Sequence, residues 1–101
     1  MGAGGPGVRS SAFDGPTVLQ RLRNAGLRPT TARVLIMQAV EAYAVPMTAE
    51  DVFRALMGRG VALRFGTSYR ILTELSECHL LARNWIPGRA GAKATYSAWH
   101  V

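Results

Sequence analysis

The sequence is short of several things at once: it has one cysteine, Cys78, one lysine, Lys93, six acidic residues and two histidines. A lone cysteine excludes an intrachain disulfide and the usual multi-cysteine structural zinc site, and a reducing cytoplasm is the simplest setting. No uninterrupted apolar run reaches the roughly 20 residues that cross a bilayer, and the N-terminus lacks a basic segment followed by an apolar one. Secretion and membrane insertion are therefore not expected. The scattered carboxylates and histidines give no clustered general acid and base, and no glycine-rich phosphate loop follows a strand, so the chain does not read as an enzyme.

What is present suits a small folded domain with a polyanionic partner. At 101 residues the chain holds one domain, which buries about two thirds of its unfolded surface. Hydrophobic residues at 49% and charged residues at 18% fit a globule rather than a disordered chain. The formal charge is +6 and the pI near 10.8, enough to attract nucleic acid at neutral pH. Every cation except Lys93 is arginine, the type that makes planar bidentate contacts with phosphates and guanine edges. A GC-rich genome produces the same bias.

Residues 1–15, rich in glycine and serine, read as a flexible tail, and residues 16–101 as the domain. Pro16 opens a first helix in which Val18, Leu19, Leu22 and Ala25 recur at helical spacing until Gly26 stops it. Thr30 caps a second helix with Leu35, Ile36, Ala39, Val40 and Tyr43 on one apolar face. Thr48 caps a third, with Asp51 at its third position, Met47 placed to staple onto Val52, and Val52, Phe53, Leu56 and Met57 facing inward. Gly58 and Gly60 end it before a short connector from Val61 to Phe65.

A fourth helix follows closely, with Ser68, Ile71, Leu72 and Leu75 on its inner side and Tyr69, Arg70 and Thr73 on the exposed side. Leu80 to Ile86 and Ala92 to Ala98 then read as two strands around a turn from Pro87 to Gly91. The expected class is mainly α with a C-terminal β-hairpin: a helix-turn-helix of three to four helices extended by a wing.

Such a fold places one helix in the major groove, where side chains near its N-terminus reach base edges. Arg70 suits bidentate bonds to guanine, Tyr69 suits thymine methyl groups, and the Thr67 hydroxyl with nearby amides suits a phosphate. Plain surface roles fit the same residues: Arg70 solvating the helix and pairing with Glu74 at i+4, Tyr69 packing on the wing. Arg83, Arg89 and Lys93 lie on the hairpin, either straddling phosphates or guarding an edge with charge. Arg28 and Arg33 flank the Thr30 cap, where a backbone phosphate would meet two cations and a helix dipole. Trp85 and Trp99 read as core or dimer contacts rather than stacking platforms, and Cys78 beside His79 as a packed thiol rather than a metal ligand.

Three blocks in order carry a resemblance to a known family. Ala25-Gly26-Leu27-Arg28-Pro29-Thr30 with Arg33, then Thr48-Ala49-Glu50-Asp51-Val52-Phe53, then Gly66-Thr67-Ser68-Tyr69-Arg70-Ile71-Leu72 resemble the N-terminal half of the ferric uptake regulators. The third block is similar to that family's recognition-helix signature, usually Ala-Thr-Val-Tyr-Arg and two apolar residues.

The resemblance spans roughly Val18 to Ala98 and implies a winged helix of a regulator that mostly represses transcription as a dimer on AT-rich inverted repeats of double-stranded DNA. It implies base reading by Tyr69 and Arg70, minor-groove entry by Arg28, and phosphate contacts by Arg33 and Thr67. Family members usually bind zinc and a regulatory divalent metal. The family's C-terminal dimerisation domain has no counterpart in this sequence, and its histidine ligand before the third helix and glutamate ligand after the wing fall at Pro46 and near Ser97. No cofactor or regulatory metal is therefore expected in this chain. Ser68 replaces an inward-facing valine and buries a hydroxyl unless it bonds back to a helix carbonyl. The competing reading is a winged-helix protein-interaction module that has lost DNA binding, its basic face taken by an acidic protein.

Overall fold

The computed structural model describes residues 17–89 and 91–99. The expected tail over residues 1–15 lies outside them. The described chain forms helices α1 (Val18–Asn24), α2 (Thr31–Glu41), α3 (Ala49–Gly58) and α4 (Phe65–Glu77), and strands β1 (Met47–Thr48), β2 (Leu81–Ile86) and β3 (Lys93–Ala98).

Local chemistry sets the helix starts. Thr17 caps α1 in a reciprocal box with Gln20, Thr30 accepts from the Arg33 amide, and Thr48 forms the full box with Asp51, each satisfying amides that the first turn leaves unbonded. The ends of α1, α3 and α4 repeat one motif. The amides of Leu27, Val61 and Leu80 reach back to the carbonyls of Leu22, Leu56 and Leu75 at 2.9, 3.0 and 2.9 Å. In each case the two side chains are apolar and join the same core. The intervening residue must be left-handed, and Gly26 and Gly60 supply it at φ 81° and 82°. At the end of α4 His79 does so at φ 61°, where a Cβ crowds the neighbouring carbonyl.

β1, β3 and β2 lie side by side in an antiparallel sheet. Sequence reading finds the hairpin but misses β1, in which Met47 and Thr48 pair with Tyr96 and Thr95. Met47 thus reaches the core as a strand residue beside the start of α3. Leu22, Ile36, Met37, Val40, Val52, Leu56, Leu72, Leu75, Leu81 and Tyr96 are withdrawn from water to form one core, the main stabilising term in a domain this small.

Three burial expectations need correction. Tyr43 is 48% exposed because α2 ends at Glu41, and Met57 is 57% exposed because it sits in the last turn of α3, past the core's edge. Thr73 is half-buried and its hydroxyl is sealed from water, because α4 packs against α2, α3 and β2 and so has a wider inner side than one stripe.

Candidate nucleic-acid interface

The start of α4 differs from the other helix starts. Arg64 occupies the N-cap position without a side-chain bond to the first turn, and that turn carries no acidic residue. The amides at the head of this 13-residue helix thus point outward unanswered by any side chain, leaving the positive end of the helix dipole available to an anion. Arg64, Gly66, Tyr69 and Arg70 are exposed there, and Thr67 is half-buried between them.

A remote ion pair decides what Arg70 can do. Glu74, one turn along α4, is held by Arg33 of α2 through a bidentate pair, Nε to Oε1 and Nη2 to Oε2, both 2.9 Å. The carboxylate that sequence spacing assigned to Arg70 is therefore occupied from the other side. Among the described residues no ion pair involves Arg70, which leaves its guanidinium unmatched on the exposed face.

Arg33 accordingly sits differently from its expected place at a phosphate. Its pKa is raised, mainly by the hydrogen bonds to Glu74, against desolvation, which lowers it; it stays charged, and Glu74 balances that charge. Its Nη1 donates to the Arg28 carbonyl at 2.9 Å, and the Thr30 amide donates to the same oxygen at 2.8 Å. Arg33 is a strut that joins α4 to the loop bearing Arg28, whose own side chain is exposed. An analogous pair, Arg21 with Glu41 at 2.5 and 2.9 Å, ties α1 to the end of α2.

On the wing, Arg89 is exposed in the turn, and Lys93 lies 3.9 Å from Glu50 at the head of α3, a distance and exposure at which a pair contributes little. The register pairs Arg83 with Tyr96 and Trp85 with Ala94, so Arg83 and Trp85 share the sheet face that bears the core. Arg83 is half-buried, its guanidinium carbon 5.7 Å from the Trp85 ring centre. Trp85 and Trp99 are 60% and 55% exposed, so neither belongs to the core. Sequence reasoning did not single out Arg64, and it paired Glu74 with Arg70 rather than with Arg33. The missing cap was a usable signal for Arg64; for Glu74 there was none, since its partner is 41 residues away in the chain.

The metal implied by the resemblance does not fit the described residues. Proline at 46 has no donor atom and serine at 97 offers only a neutral hydroxyl, a poor substitute for imidazole or carboxylate. No group of three or more histidine, cysteine, aspartate or glutamate side chains gathers among the described residues.

Helices α3 and α4, joined by a tight glycine-bearing connection, backed by α2 and followed by the β2–β3 hairpin, define a winged helix-turn-helix protein. The chain belongs to the ferric uptake regulator family, whose profile matches residues 24–97. It is 41% identical over 68 residues to the ferric uptake regulation protein of Pseudomonas aeruginosa, a match covering 66% of this chain and 51% of that one. The Neisseria meningitidis protein of the same name is 34% identical over 67 residues, covering 65% and 46%. The chain thus spans about half the length of the curated relatives it matches. Among solved structures, the P. aeruginosa ferric uptake regulator with manganese superposes with a TM-score of 0.74 at 33% identity, covering 82% of this chain and 60% of that one. A PadR-like transcription factor shares the fold at a TM-score of 0.60 and 22% identity.

Proposed function

We propose that this chain is the DNA-binding part of a transcriptional regulator, that α4 enters the major groove, and that the regulator acts as a repressor. The observation that carries the reading is Arg70, exposed next to Tyr69 in an uncapped helix head and left without a carboxylate because Arg33 holds Glu74. Arg70 reads a guanine edge and Tyr69 packs on thymine methyls. Thr67 and the α4 amides take a phosphate. Arg28 enters the adjacent minor groove, its loop fixed by the Arg33 strut, while Arg83, Arg89 and Lys93 bring the wing to the backbone. Thr73, half-buried with a sealed hydroxyl, supports the seat of α4 rather than touching DNA. The family suggests an AT-rich inverted repeat bound by a homodimer; two linked half-sites would supply the avidity that a single domain lacks.

The salt dependence of binding tests this reading. Fluorescence anisotropy of a labelled AT-rich inverted-repeat duplex should give an affinity that falls with salt, the logarithmic slope being about −0.9 per phosphate neutralised. Absence of binding even at low salt would move the basic face to an acidic protein partner.

A further inference from the structure

The wing carries a feature that simple charge contact does not require. Leu81, Arg83 and Trp85 lie on one face of β2, paired with Ala98, Tyr96 and Ala94. Leu81 is buried in the core, whereas Trp85, four residues further along the same face, stays 60% exposed. Between that indole and the head of α4 lies a slot of about 280 Å³, lined by Phe65, Tyr69, Trp85 and Lys93 among others. Phe65 and Tyr69 are themselves 41% and 46% exposed. Three large aromatic side chains thus face water on the side of the molecule where the recognition helix begins.

We infer that this slot grips the sugar-phosphate backbone of the strand flanking the major groove, with Trp85 as an aromatic contact of the wing. The inference rests on the DNA-binding reading and adds a partner for Trp85 within it. A helix about 10–12 Å across fills a major groove about 12 Å wide, so an element standing beside the helix meets the groove wall, which is backbone. Indole offers a wide apolar ring and a single N–H that donates and never accepts. That combination matches the C–H face of a deoxyribose beside an anionic oxygen. Arg83 over the indole holds the ring and adds charge, and Lys93 adds a cation at the lining; Glu50, near Lys93, is the one carboxylate lining the slot.

The test uses the full chain carrying Trp99→Phe, so that Trp85 is the only indole, titrated with the AT-rich inverted repeat and with a scrambled duplex of the same composition. Trp85 emission should change on adding either duplex and revert with salt. Trp85→Ala should weaken both duplexes alike by about tenfold, the factor that 1.4 kcal/mol makes in an equilibrium constant, with Trp85→Phe losing less and the melting temperature unchanged. Salt-dependent binding with unaltered Trp85 emission and an unaltered Trp85→Ala affinity would overturn the inference while leaving DNA binding intact. Loss confined to the inverted repeat would make Trp85 a base reader and also overturn it. Emission that follows protein concentration without DNA would assign the slot to a second copy of the chain. Failure of the parent to bind either duplex would remove the underlying reading and the inference with it.

Discussion

Ser68→Ala should stabilise this domain, although it removes a polar group from the recognition helix. The Ser68 side chain is fully buried and its hydroxyl has no hydrogen-bond partner. The Arg64 carbonyl, where a serine usually bonds back, accepts the Ser68 amide at 3.0 Å as in any helix, and the hydroxyl does not join it there. An unpaired buried hydroxyl costs about 1–3 kcal/mol, and alanine's better helix propensity adds roughly 0.5 kcal/mol. The gap left by one oxygen returns at most about 1 kcal/mol of that gain. With that cost taken in full the net expectation is about 0.5–2.5 kcal/mol, and each kcal/mol raises the melting temperature of a domain this size by about 4–8 °C. Thermal unfolding followed by circular dichroism, with urea unfolding to confirm an unchanged slope, reads this directly. A melting temperature that stays level or falls would show that the hydroxyl is satisfied, and the reasoning would be refuted.

Other expectations follow from single contacts. Arg33→Ala and Glu74→Ala should each cost roughly 1–3 kcal/mol, and the double variant should fall short of their sum by about 0.5 kcal/mol or more in a urea-unfolding cycle; strict additivity would mean that the strut carries no energy. The Arg33→Ala/Glu74→Ala double variant should also leave the salt slope of DNA binding nearly unchanged, because the two charges cancel, whereas Arg33→Ala alone should weaken binding by freeing Glu74 to pair with Arg70. Thr48→Ala breaks a reciprocal cap and should cost about 1–2 kcal/mol, read as a lower urea midpoint. His79→Gly relieves a left-handed residue at the end of α4 and should gain about 0.5–1 kcal/mol in the same assay; a loss would show that the imidazole packs usefully there.

Sequence resolved those elements whose causes are local. The Thr48 and Asp51 pair announces α3 because the cap is made within four residues, and Pro87 to Gly91 announces the hairpin because turn chemistry is equally local. Gly26 and Gly60 mark helix ends for the same reason, while His79 at the third end hides because its type gives no hint of its backbone. β1 stayed invisible, since two residues have no periodicity and the pairing partner lies nearly fifty residues on. Arg33 with Glu74 was invisible for the same reason, and that pair changes the site most. It makes Arg33 a strut between α4 and the Arg28 loop and leaves Arg70 unpaired among the described residues. The core alternative for Trp85 falls because alternation assigns a face but not where the core beneath that face ends.

Arg70 decides the account. Anisotropy of wild type and Arg70→Ala on the AT-rich inverted repeat and its scrambled counterpart, at one moderate salt concentration, tests it most directly. The account predicts that wild type prefers the repeat and that Arg70→Ala loses about 1–3 kcal/mol on it, and with it most of the preference, while still folding. A preference that survives Arg70→Ala unchanged would contradict base reading by the exposed face of α4.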